Sequence, residues 1–224
     1  MGNEEIREAA RESVRSGADI RSKVHDLTLE ALRKRRFDRQ GIREVVRAVA
    51  EGAVLGADKS RADLRAALAD AFRGMDEALT RSAEAARSAL GQMVATGRDF
   101  TDAELKQALA NLRKLEDDFL DTVGHVAEAA GEKVAPELRK VLGEARASGT
   151  ETGRRVAATM TEFAQRFSIA SIDLALAGIA AASEFGSRFA ALASGVLAGM
   201  ADALAKTETP PGREGPPKKD DAAG

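Results

Sequence analysis

Two histidines, one acidic cluster and one basic run are the residues whose types suit them to chemistry. His25 and His125 stand a hundred residues apart, and neither has a carboxylate or second histidine at a spacing that completes a metal ligand set or a nucleophilic triad. His125, in ThrValGlyHisVal, reads as a packed or surface helix residue. Glu116, Asp117, Asp118 and Asp121 gather enough charge to attract a cation. They lack the glycine turn and alternating ligands of a calcium loop, and so predict a solvated helix face. Arg33, Lys34, Arg35 and Arg36 would suit an anionic partner, phosphate in nucleic acid or in lipid headgroups. Without interleaved aromatics the run reads first as cations at a helix C-terminus, complementing its dipole. No glycine-rich phosphate loop or dinucleotide fingerprint occurs, and zero Cys removes thiol nucleophiles, thiolate metal sites and disulfides. These residues predict a protein that is not an enzyme, with no cofactor, metal or small-molecule substrate.

The elements that carry them read as helices punctuated by glycine, with no strand signal. Apolar residues make up 44% of the 224, but aromatics only 4%, so alanine-rich helices packed along their lengths are expected rather than a thick core. A net charge of −2 gives no general attraction to nucleic acid or anionic membranes. The N-terminus is charged from Glu4 and has no apolar signal region, which predicts a cytoplasmic protein. Residues 1–56 form a first helical module: Ile20, Val24, Leu27 and Ala31 share one face, Asp38 caps the next stretch, and Gly52 and Gly56 are expected to break it. Residues 57–149 form central amphipathic helices, with a capping box at Thr101 and Glu104 and an interruption at Gly131 and Pro136. Residues 207–224, rich in proline, glycine and charge, predict a disordered tail.

Residues 150–206 carry the most informative pattern, a repeat of eleven residues. Glu151, Glu162, Asp173 and Glu184 share one position, and Phe163, Leu174, Phe185 and Val196 form an apolar column. Val156, Phe167, Phe189 and Met200 form a second column, and Ala170, Ala181, Leu192 and Ala203 a third. Eleven residues over three turns average about 3.67 per turn, so the stripe stays on one side of a straight helix. A fainter version runs through Leu64, Leu68, Phe72, Met75, Leu79, Ala83, Ala86, Leu90 and Val94. Between Ser168 and Ala201 the helix becomes apolar nearly all round, through Ile169, Ile172, Leu176 and Ile179. Asp173, Glu184, Arg188 and Asp202 leave no window of about twenty apolar residues for a bilayer span. Gly178, Gly186, Gly195 and Gly199 are spaced for close helix contact. A straight helix from Glu151 to Lys206 would be ~84 Å long. A compact chain of this size has a radius of gyration of about 17 Å. The helix therefore bends near Gly178 and Gly186, or the molecule is an elongated antiparallel bundle or hairpin of long amphipathic helices, all-α in either case.

Eleven-residue amphipathic repeats on alanine-rich helices resemble those of exchangeable apolipoproteins, perilipins and, most in general character, the phasins that coat bacterial polyester granules. The resemblance is sharp over Glu151 to Ala205 and faint over Leu64 to Val94. It implies a coat on a lipid or polymer surface, with Phe163, Phe167, Leu174, Phe185, Phe189, Leu192, Val196 and Met200 as the contact face. Three other readings compete. The same stripes suit pairing within a bundle or homo-oligomer, with the chain itself as partner. The segment Ser168 to Ala201 suits insertion into a membrane, and the basic run suits nucleic acid, which ranks last.

Overall fold

A computed structural model of the chain describes residues 1–35, 38–58, 63–95, 102–167, 191–196 and 198, with side chains described outside 102–107, 166 and 167. The helices are α1 (Asn3–Arg15), α2 (Ile20–Arg33), α3 (Arg39–Ala57), α4 (Leu64–Ala95), α5 (Asp102–Arg113), α6 (Leu115–Ala129), α7 (Ala135–Ser148) and α8 (Glu151–Phe167). No strand occurs among the described residues, and the chain is all-α.

Local signals set many of these boundaries. Gly17, at φ 69°, turns the chain between α1 and α2. The Asp38 carboxylate accepts from the Gly41 amide at 2.8 Å and starts α3. Pro136 sits in the first turn of α7, where its missing N–H costs nothing. α1, for example, then buries one stripe, Ile6, Ala10 and Val14. The Thr101 capping residue lies outside the described residues.

α4 is the centre of the bundle. It packs against α2, α3, α7 and α8, and the α4 column from Leu68 to Leu90 is buried without a break. Phe72 of α4 stacks on Phe119 of α6, with ring centroids 4.8 Å apart. Buried apolar residues form one cluster that runs from Ile6 to Phe163 and includes Ala193, so the stretches 1–56 and 57–149 meet in it.

Gly52 and Gly56 do not end a helix. α3 runs through both, because α1 lies against them: a Cβ on Gly52 would strike the Arg7 carbonyl and come within 2.7 Å of the Ala10 Cβ. One on Gly56 would strike the Arg11 carbonyl and sit 3.0 Å from the Val14 Cβ. Gly74 of α4 plays the same part against Arg21 and Val24 of α2. The contacts of α1 and α3 rise together along both helices, so the two run parallel, with α2 as the return. α6 and α7 form an antiparallel hairpin in which Arg146 reaches Asp121.

Candidate functional site: the root of the repeat helix

The repeat helix is held at its first turn by two carboxylates from other helices. Gly149, at φ 75°, turns the chain out of α7, and the Thr150 hydroxyl accepts from the Gly153 amide at 2.9 Å. The Thr150 amide and hydroxyl both donate to Glu116 of α6, at 3.1 and 2.6 Å. Asp76 of α4 accepts from the Glu151 and Thr152 amides at 2.9 and 3.0 Å, one carboxylate oxygen for each. Negative charge at this end also complements the helix dipole. The Thr152 hydroxyl donates to the Asp76 carbonyl at 2.9 Å and lies 3.2 Å from the Thr80 hydroxyl. The Glu116 carboxylate occupies the space a Cβ on Gly153 would fill, so a larger residue there would push the clamp aside.

Beyond the clamp, Thr152, Val156, Thr159 and Phe163 form the buried face of α8, with Phe163 1% exposed. Arg155 pairs with Glu84 of α4 and Glu162 with Arg87, each at 3.0 Å. Partners rise together from Asp76 to Arg87 and from Thr152 to Glu162, so α8 runs parallel to α4. Short loops favour antiparallel neighbours, but three helices intervene between this pair.

Phe163 thus lies in the chain's own core, with no area left for an external surface in this conformation. In the described turn at 191–196, Ala193 is fully buried, Val196 is half-buried against the core and Leu192 is 40% exposed. Leu174, Phe185, Phe189 and Met200, and the side chain of Phe167, lie outside the described residues. Phe163 and Val196 occupy the same position of the repeat, and both turn toward the core.

The match between chain and family covers this whole assembly, from the first residue through the repeat to residue 206. The chain belongs to a family of unknown function, DUF6781. No curated protein and no solved structure matches it.

In this DUF6781 chain the acidic cluster is not the solvated face that its composition predicts. Asp118 is 6% exposed and receives two hydrogen bonds from Arg39, at 2.7 and 2.8 Å, and one from Arg43. Burial pushes its carboxyl up, but the bonds from both arginines outweigh that and hold it below the ordinary carboxylate range. Glu116 is the α8 clamp and Asp121 faces Arg146; Asp117 remains exposed. Helix periodicity had no means of finding this triad, because its arginines lie 75 and 79 residues away. Thr150 is assigned no role from sequence, although a threonine after a glycine is a local cap signal; Asp76 and Glu116 carry no local signal for theirs.

Of the basic run, Arg35 is drawn into the fold. Lys34 bonds Glu30 and holds that carboxyl below its usual range, while Arg35 pairs with Glu44 at 2.6 Å and with Asn3. Arg33 ends α2, and Arg36 lies outside the described residues. Gly195 has open space where its Cβ would be, so it makes no close helix contact among the described residues; Gly178, Gly186 and Gly199 lie outside them. The histidines make short-range contacts, His25 to Asp26 at 2.8 Å and His125 to the Asp121 carbonyl at 2.7 Å. Among the described residues there is no cluster of His, Cys, Asp and Glu suited to a metal, and no helix long and apolar enough to cross a membrane.

Proposed function

We propose that this chain is a non-enzymatic cytoplasmic protein that associates with an apolar surface, a lipid or polyester inclusion or a membrane surface, through residues 168–201. The observation that carries this reading is the change in composition along the repeat. Over Glu151–Phe167 a single stripe ending in Phe163 is taken up by the bundle, and the outward residues are polar or small, Arg154, Arg155 and Thr161 with Ala157 and Ala158. From 168 the sequence adds Ile169, Ile172, Leu176 and Ile179 to that stripe, more apolar surface than one docking face uses. Leu192, 40% exposed beside a fully buried Ala193, is consistent with such an outward face. The clamp at Asp76 and Glu116 then acts as an anchor that joins the binding segment to a folded body.

The test is flotation of the full chain with liposomes or polyester granules in a density gradient. Wild-type protein is expected to rise with them. The double variant Phe185→Ser, Phe189→Ser is expected to stay at the bottom with its circular dichroism unchanged.

Self-association is the second reading, favoured by the inward placing of Phe163 and Val196. There the same double variant leaves flotation absent in both proteins and lowers the melting temperature or disperses a defined oligomer. Phe truncation in a core costs ~3 to 5 kcal/mol.

A further inference from the structure

A cleft of about 370 Å³ lies between α1, α3 and α6, away from the clamp of α8. Val54, Leu55, Val126, Ala129 and Ala130 supply its apolar surface, and Leu55 is 47% exposed there, one of the few large apolar side chains so open among the described residues. Arg7, Arg47, Glu51 and His125 complete the lining. Arg7 is matched by Glu4 and lies 3.7 Å from Glu51, and the Nδ1 of His125 donates to the Asp121 carbonyl. Arg47 is exposed and makes no hydrogen bond or ion pair among the described residues, so the cleft carries one solvent-facing cation beside its apolar lining.

We infer that this cleft binds an amphiphilic anion, an acyl chain with a carboxylate head, with the tail on Leu55, Val54 and Val126 and the head on Arg47. Size suits a small molecule, because the volume falls within the range of small-molecule sites. Charge selects the head: a guanidinium without an internal partner pairs with a carboxylate through charge-assisted, often bidentate hydrogen bonds. This site does not depend on the surface-binding reading of residues 168–201.

Isothermal titration of the full chain with dodecanoate, below its micelle concentration, tests the inference. Saturable binding of one dodecanoate per chain is expected. Acetate, the head without the tail, is expected to show none. Dodecyltrimethylammonium, a similar tail with the opposite charge, is expected to bind at least about tenfold more weakly. Arg47→Gln and Leu55→Gln should each weaken dodecanoate by about tenfold while the melting curve stays in place. Phe185→Ser with Phe189→Ser should leave the affinity unchanged. Equal binding of the two amphiphiles, full affinity in either cleft variant, or loss in the phenylalanine variant would overturn the assignment, the last by moving the ligand to the repeat. Failure here leaves the flotation result untouched.

Discussion

α4 and α8 share an eleven-residue rhythm and lie side by side, yet they are held by different physics. The buried column of α4 is almost wholly apolar, Leu68, Phe72, Met75, Leu79, Ala83, Ala86 and Leu90, and it is covered by helices on several sides. The buried column of α8 alternates hydroxyl and apolar groups, Thr152, Val156, Thr159 and Phe163, and is supplemented by carboxylate caps and cross-helix ion pairs. A shared period therefore decides which side of a helix faces inward. Composition at the inward positions decides how firmly, and exposed ion pairs such as Arg87 with Glu162 add only ~0 to 1 kcal/mol each.

Truncation of one phenylalanine on each helix should expose this difference. Phe72→Ala is expected to lower global stability by about 3 to 5 kcal/mol in denaturant titration, because Phe72 packs on Phe119 at the centre of the bundle. Phe163→Ala is equally buried but sits on the peripheral helix. Its main effect is expected to be faster amide exchange throughout 151–167, with a smaller shift of the global midpoint. Equal global losses from both would mean that α8 is as integral as α4.

The glycines offer a second contrast. Gly52 admits the backbone of α1, and Gly195 has nothing within reach of its Cβ position among the described residues. Gly52→Ala should cost about 2 to 3 kcal/mol through overpacking, and Gly195→Ala should be neutral or stabilising by up to about 1 kcal/mol. Thermal melts of the two variants check this, and the same sign for both would remove the contrast.

These glycines also show where the sequence was readable. Asp38 and Pro136 act on amides or turns within a few residues of themselves, so the helix boundaries they mark were legible. Gly52 and Gly56 read locally as helix breakers, since glycine is a poor helix former. Their actual use depends on Arg7 and Arg11, some forty-five residues earlier, and only the folded chain brings those backbones close. The GlyxxxGly spacing of the repeat brings no neighbour to Gly195 among the described residues, whereas the same spacing in α3, Gly52 and Gly56, admits the backbone of α1. Asp118 was hidden for the same reason: its partners Arg39 and Arg43 sit on another helix.

Asp118→Asn should cost about 2 kcal/mol at neutral pH, less than a fully buried pair, because Arg39 and Arg43 remain 38% and 50% exposed and can turn to water. The folded carboxyl titrates below its unfolded value. Its stabilisation is therefore present above the ordinary aspartate pKa, about 3.9, and is lost as pH falls through the lower folded value. Denaturant midpoints from pH 7 to pH 2 should show wild type and variant converging only at the acid end. Convergence near neutral pH would contradict the ion triad.

Hydrogen–deuterium exchange on the full chain, alone and on liposomes or polyester granules, tests most directly whether the repeat divides into an anchored root and a binding stretch. Protection should increase across 168–201 on the surface, while 151–167 and the bundle remain as they are in solution. Unchanged exchange in 168–201, or loss of protection in 151–167 as the bundle opens, would contradict that division.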